Sequence, residues 1–230
     1  MKISGMEKLT LLDYPEKTAC IIFTQGCDFR CPFCQNSDLL NNNNAGGIIS
    51  EEEVFLYLKK RQNVLDGVCI SGGEPLLQKD ILDFIKKIKA LGFKVKLDTN
   101  GNSPSKLKEL LDLSLIDYVA MDIKNEFSIY NQTAGLLKVN IKNIKESIKL
   151  LKESSIDYEF RTTIVKELHT IKSIKSICQY IGPEVKYYLQ NYKDSENVLK
   201  KGLHEFSQDE LLQIKKELVI DYPNVIIRGL

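Results

Sequence analysis

One alternation constrains this 230-residue chain more than any other feature. Short strand-like runs, the first of them rich in β-branched residues, alternate with stretches whose apolar residues recur at helical spacing. The runs are "ACIIFT", "GVCIS", "FKVKLD", "DYVAMDIK", "DYEFRTTIV" and "VKYYLQ"; the helical stretches include "ISEEEVFLYLKKRQ", "SPSKLKELLDL", "NIKESIKLLKES" and "TIKSIKSICQYI". Six strands alternating with helices at this interval predict βαβ units and a parallel sheet. Ser50, with Glu53 three residues on, marks a helix start by the capping-box pattern. "NNNNAGG" (Asn41 to Gly47) reads as a solvated loop. No linker-like segment divides the run, so residues 1–230 are expected to form one domain. Its core covers about 15–190, and an extension over 191–230 holds "SQDELLQIKKEL" and "NVIIR".

Lys and Arg number 32 against 31 Asp and Glu, which leaves no global field to attract nucleic acid or an anionic membrane. The start, "MKISGMEKLTLLDYPEK", has no apolar stretch of signal-peptide length, and no run elsewhere is long enough to span a membrane. A soluble cytoplasmic protein is expected. In that compartment six cysteines point to metal binding or burial more than to disulfides.

Three of the six, Cys27, Cys31 and Cys34, stand in "GCDFRCPFC" directly after the first strand. Thiolates at this spacing hold zinc or an iron–sulfur cluster. A closed zinc site needs a fourth ligand, and the two histidines, His169 and His204, are far away in sequence. A [4Fe–4S] cluster on three thiolates instead leaves one iron open to a small molecule, the arrangement of a catalytic metal. Cys20 and Cys69 fall inside strands and Cys178 on a helix, where free cysteine behaves as a small buried hydrophobe.

In parallel α/β folds chemistry gathers at the carboxyl ends of the strands. The polar residues there, besides the cysteines, are Gly72, Gly73 and Glu74 of "GGEP"; Asp98 to Gly101, including Asn100; Asp122 and Lys124 of "DIK"; Arg161; and Gln190. Glycines after a strand also make turns, and strand-end charges are commonly solvated. Converging on one rim, these residues predict a polar ligand site. The glycines let backbone approach the ligand, Glu74 faces a cationic amine, and Arg161, inside a β-branched strand, needs an anion. His169 reads as a loop residue, and the lysines from Lys138 to Lys152 as a solvated helical face.

Together these motifs resemble the radical SAM superfamily: CxxxCxxC after the first strand, Phe33 before the last cysteine, and GGEP after the second strand. Within it, "LTLLDYPEKTACIIFTQGCDFRCPFCQN", "VCISGGEPLLQ", "KLDTNG", "VAMDIK" and "DYEFRTTIV" are similar to the activating proteins of anaerobic ribonucleoside-triphosphate reductase, relatives of pyruvate formate-lyase activating enzyme. The resemblance spans roughly residues 1–190 and implies an α/β fold, a partial (β/α)6 barrel with a parallel sheet. It implies one [4Fe–4S] cluster on Cys27, Cys31 and Cys34. It also implies S-adenosylmethionine (SAM), with the Phe33 main chain at the adenine and Gly73 and Glu74 at the methionine amino group. Asp98, Asp122 and Lys124 would flank its carboxylate and ribose with Arg161 nearby, and Gly72 and Asn100 complete the SAM contacts. The implied reaction is reductive cleavage of SAM to a 5′-deoxyadenosyl radical that takes hydrogen from a glycine of a partner enzyme. The electron would come from a low-potential donor such as flavodoxin or ferredoxin. The alternative within the superfamily is an enzyme acting on a small molecule. A cavity closed by the chain's own C-terminal segment would favour it over an open lateral groove.

Overall fold

The computed structural model describes residues 1–40 and 47–228. Eight strands form one sheet in chain order: β1 (Ile3–Thr10), β2 (Ala19–Thr24), β3 (Gly67–Gly72), β4 (Lys94–Thr99), β5 (Tyr118–Asp122), β6 (Asp157–Ile164), β7 (Tyr187–Asn191) and β8 (Val225–Arg228). The six expected strands are β2 to β7, and they pair in parallel. Two more extend the sheet beyond the expected six. "NVIIR", expected only as a terminal element, supplies β8, a seventh parallel strand beside β7. β1 pairs antiparallel with β2. It escapes the alternation because Glu7 and Lys8 are exposed at its far end; an edge strand need bury only part of itself, and charge there discourages further pairing. β1 and β8 do not pair with each other, so the barrel stays open on one side.

The helices are α1 (Glu51–Arg61), α2 (Ile81–Ala90), α3 (Pro104–Asp112), the single turn α4 (Tyr130–Thr133), α5 (Ile141–Glu153), α6 (Ile171–Ile181) and α7 (Gln208–Leu218). Ser50 caps α1 as expected, its side chain accepting from Glu53 N at 3.1 Å. Each longer helix buries one stripe, such as Ile81, Phe84, Ile85 and Ile88 of α2 or Ile174, Ile177 and Ile181 of α6. Every such side chain contributes about 1.5–3 kcal/mol by leaving water. None of the described helices is long and apolar enough to cross a membrane.

Register sets the rim level. Thr24 lies opposite Gly72, and Asp122 opposite Arg161. Alternation along β4 puts Val95 and Leu97 on one face and Lys96 and Asp98 on the other, so polar side chains collect on a common side. Cys20, Cys69 and Cys178 are buried free thiols, as expected. The expected loop from Asn41 to Gly47 lies, apart from Gly47, outside the described residues.

Candidate active site

The carboxyl ends of β2 to β6 surround a cavity of about 200 Å³. All twelve predicted site residues line it: Cys27, Cys31 and Cys34; Phe33; Gly72, Gly73 and Glu74; Asp98 and Asn100; Asp122 and Lys124; and Arg161. Gln190, placed on the same rim by the strand pattern, does not line it; Thr163 on β6 does. Among the described residues none beyond Thr163 contributes to its wall, so the C-terminal segment does not close it.

The cysteine loop is tied down along its length. Gly26 N donates to Leu39 O (2.7 Å) and Arg30 N to Ala134 O (2.9 Å), while the Arg30 guanidinium donates to Cys27 O (2.6 Å) and Phe29 O (2.8 Å). The end of β3 presses on the loop, with Gly73 N donating to Thr24 O (2.9 Å) and Glu74 N to Gly26 O (2.8 Å). A Cβ on Gly72 would overlap the Thr24 backbone, and one on Gly73 the Gly26 carbonyl. The glycines therefore admit the protein's own backbone, a reason nearer than the ligand approach expected from sequence.

Burial pushes the Cys27 thiol up to about 12 and the Cys31 thiol up to about 11, with the Lys124 charge pulling Cys31 back. A metal centre would have to displace these protons. Among the described residues, no three His, Cys, Asp or Glu side chains are grouped to hold a single metal ion. Mononuclear zinc, with bonds of about 2.3 Å, draws all its ligands to one point. Thiols ranged around a hollow suit a cluster that spreads its ligands over separate irons.

Glu74 is fully buried. Its Oε1 accepts from Thr99 Oγ1 (2.8 Å) and Leu76 N (3.1 Å), and its Oε2 from Asn100 N (2.7 Å). Burial raises its pKa to about 7 against these bonds. A carboxylate offers about four lone-pair sites, so one on Oε2 is left for a ligand cation. Asp28, which sequence reasoning passed over, accepts from Asn100 Nδ2 and Asn102 Nδ2, both at 2.7 Å. It joins the "TNGN" loop to the cysteine loop.

Five side chains form a ladder of alternating charge: Lys96, Asp98, Arg161, Asp122, Lys124. Lys96 pairs with Asp98. Arg161 reaches Asp98 Oδ2 with Nη1 (3.4 Å) and Asp122 Oδ1 with Nε (2.9 Å), and Lys124 Nζ lies 3.1 Å from Asp122 Oδ2. Burial alone would raise both carboxyls. Arg161 and Lys124 outweigh it and hold Asp122 at about 2; Arg161 and Lys96 hold Asp98 below the usual range. The anion that Arg161 needs is thus supplied by the protein, where the sequence pointed to a ligand. Three cations against two anions leave one net positive charge in the ladder, which suits a ligand carboxylate. Lys96 gave no sequence signal, since a lysine in a strand ordinarily faces water.

His169, expected to be an ordinary loop residue, is buried. Its Nδ1 accepts from Val165 N (3.0 Å), so the proton sits on Nε2 and is donated to Lys124 O (2.9 Å). Its ring meets Phe33 edge-on with centroids 6.4 Å apart. One imidazole braces two residues of the cavity wall. His204 is exposed and pairs with Glu167 at 2.6 Å.

Comparison with known proteins agrees with this geometry. A putative glycyl-radical enzyme activating enzyme of Methanocaldococcus jannaschii is 34% identical over 98% of this chain and 95% of its own length. The pyruvate formate-lyase-activating enzyme of Clostridium pasteurianum is 35% identical over 54% of this chain and 52% of its own length. Streptococcus suis SuiB, in a crystal structure bound to S-adenosylmethionine, shares the fold with a TM-score of 0.70 at 18% identity, over 89% of this chain and 48% of SuiB. The sequence pattern of the Radical SAM superfamily matches residues 21–181, from β2 to the end of α6. The chain belongs to the Radical SAM superfamily.

Proposed function

We propose that this chain is an activating enzyme that generates a glycyl radical on a partner enzyme, with an anaerobic ribonucleotide reductase as the candidate partner. The observation that carries this reading over a small-molecule substrate is the open side of the barrel. β1 and β8 do not pair, and no described residue beyond Thr163 walls the cavity. The near full-length similarity to the Methanocaldococcus jannaschii protein supports the same class.

The superfamily implies a [4Fe–4S] cluster and SAM, and three thiols around one hollow fit the first. In this reading Cys27, Cys31 and Cys34 hold the cluster, and the Phe33 main chain takes the adenine. Gly73 and the remaining Oε2 site of Glu74 take the methionine ammonium, while Asp98, Asn100, Asp122 and Lys124 take carboxylate and ribose. Arg161 fixes the two aspartates. Bound there, cluster and SAM supply a one-electron cleavage that yields methionine and a 5′-deoxyadenosyl radical. The protein binds, orients and keeps water out. A partner glycine reaches the cavity only if its loop leaves its own enzyme, and an extended loop entering between β1 and β8 would find main-chain hydrogen bonds chiefly along β8, because Ile49 N already donates to Ile3 O (2.9 Å) on the β1 edge. The electron comes from a low-potential donor of the flavodoxin or ferredoxin kind.

The test is anaerobic mixing of the reconstituted protein, SAM, a low-potential reductant and the candidate reductase, read by electron paramagnetic resonance. A glycyl radical doublet is expected. Robust SAM cleavage with no protein radical in any glycyl radical enzyme of the same organism would defeat the activase reading and favour a small-molecule substrate.

A further inference from the structure

Gln190 stands on the rim by the strand pattern, yet the cavity wall leaves it out. Register shows what it belongs to instead. Thr163 on β6 lies opposite Gln190 on β7, and Gln190 lies opposite Arg228 on β8. Tyr187 and Leu189 of β7 and Val225 and Ile227 of β8 are buried in the main core, so by the alternation of side chains Gln190 and Arg228 turn to the other face, the barrel interior. Arg228 shows that direction directly, its Nη2 lying 3.2 Å from Oε2 of Glu159, two residues before Arg161 on β6. The three side chains form a row that starts at Thr163 in the cavity wall and ends on the strand beside the open side. Neighbouring strands lie about 4.8 Å apart, so the row is about 10 Å long.

The row holds polar groups that the fold does not use. Among the described residues neither Thr163 Oγ1 nor the Gln190 carboxamide makes a hydrogen bond, and both side chains are half-buried. Arg228 lies 3.8 Å from the centroid of the Tyr188 ring and donates through Nη2 alone, to the Glu159 carboxylate. Its Nε and Nη1 are left over. Glu159, 1% exposed, already balances the guanidinium charge, so what remains is a set of directed donors rather than a bare cation. A carboxamide carries both donor and acceptor and is the complement of a peptide group; spare guanidinium donors suit a carbonyl. A glycine has no side chain to read, and recognition of it falls on the main chain.

We propose that Thr163, Gln190 and Arg228 are the track that reads the main chain of the partner's glycine loop, with the Gln190 carboxamide paired to a peptide group and Arg228 donating to a carbonyl nearer the opening. The proposal rests on the activase reading above and assigns the residues that set affinity for the partner. An extended chain advances about 3.3 Å per residue. With the glycine at the cavity end of the row, the peptide group about one or two residues along lies over Gln190.

Gln190→Met removes the carboxamide, keeps the length and breaks no hydrogen bond of the fold. Arg228→Lys keeps a cation for buried Glu159 and gives up the fork. Wild type and both variants are reconstituted anaerobically and compared by SAM affinity, by SAM cleavage with reductant alone, by the melting point of the unloaded protein, and by the glycyl radical signal as the concentration of the candidate reductase is varied. Gln190→Met should match wild type in the first three and need about tenfold more reductase for half-maximal radical formation at an unchanged maximal rate, the size of one hydrogen bond lost at an interface. Arg228→Lys should raise the same concentration by a smaller factor. A synthetic peptide copying the reductase's glycine loop should compete with the reductase, and still compete with alanine in place of the side chains flanking the glycine; competition lost on that change overturns main-chain reading. An unchanged half-maximal concentration in Gln190→Met overturns the proposal, while radical formation by wild type leaves the activase reading standing. A Gln190→Met protein that melts lower or binds SAM less tightly also overturns it, since the residue would then serve the fold or the SAM site. Wild type that forms no radical on any glycyl radical enzyme of the same organism overturns the activase reading and this proposal with it.

Discussion

Replacing Arg161 with Met tests whether the charge ladder holds the cavity together. The guanidinium bridges Asp98 and Asp122, and its side chain is only 13% exposed. Met fills much of its volume and removes the charge. Breaking a buried pair by deleting one partner costs about 3–5 kcal/mol. Asp98 keeps Lys96 and Asp122 keeps Lys124, which puts the expected loss near the low end, about 3 kcal/mol. The depressed Asp122 pKa points the same way but sets a smaller share: from the ordinary 3.8 to about 2, at about 1.4 kcal/mol per pH unit, the drop is worth about 2–3 kcal/mol in all, of which Arg161 carries only the part that Lys124 does not. The sign follows from the depressed pKa. Asp122 stabilises the fold fully above its unfolded value and loses that contribution as pH falls toward about 2. Removing Arg161 moves the carboxyl back up, so the gap between wild type and variant should narrow below pH 4. Urea unfolding of the unloaded proteins, followed by circular dichroism at pH 7 and at steps toward pH 3, measures this. Arg161→Lys should recover only part of the loss, because one ammonium cannot span both carboxylates as the guanidinium fork does. A loss under about 1 kcal/mol at pH 7, or a gap that widens on acidification, would refute the ladder's role, since even a surface pair reaches that size.

Replacing any one of Cys27, Cys31 or Cys34 with Ala should abolish an oxygen-sensitive cluster of about four irons, whereas Cys20→Ala and Cys178→Ala should leave iron content unchanged; stoichiometric zinc in place of iron after anaerobic reconstitution would sink this set. Glu74→Gln turns one acceptor into a donor facing Asn100 N, so it should keep the cluster yet weaken SAM by about 2–5 kcal/mol; calorimetry on the loaded variant checks it, and unaltered affinity counts against Glu74. His169 is held below its ordinary pKa by burial, so its contribution is present above about pH 6.5 and lost as pH falls below it. Glu74, raised to about 7, works in the opposite sense over the same window, and the readout is therefore the difference between wild type and His169→Gln. That difference should shrink from pH 7 to pH 5 in unfolding titrations; a constant difference would remove the imidazole from the account.

The strand and helix alternation made β2 to β7 legible, because each unit buries a regular stripe against its neighbours. Eleven of the twelve predicted residues that line the cavity were legible because the rule that chemistry sits at strand ends acts on chain order alone; Phe33 entered only through the family resemblance, and the same rule also picked out Gln190, which does not line it. What escaped depends on contacts between distant segments. Lys96 looks solvated until Asp98 and the barrel interior enclose it, and His169 becomes a brace only when folding brings Lys124 O to its ring, 45 positions away. Glu74 read as a ligand group; three internal hydrogen bonds make it a structural one as well. β1 escaped because a charged edge strand carries no apolar run, and β8 because its four residues, Val225–Arg228, are too short to announce a seventh unit.

Hydrogen transfer tests the central claim most directly. The candidate glycyl radical enzyme is prepared with its glycines deuterated at the α carbon, then mixed anaerobically with this protein, SAM and a low-potential reductant. The 5′-deoxyadenosine formed is analysed by mass spectrometry. An activase carries one deuterium from partner to product for each radical made. Unlabelled 5′-deoxyadenosine, formed at full rate in the presence of the labelled partner, would contradict it.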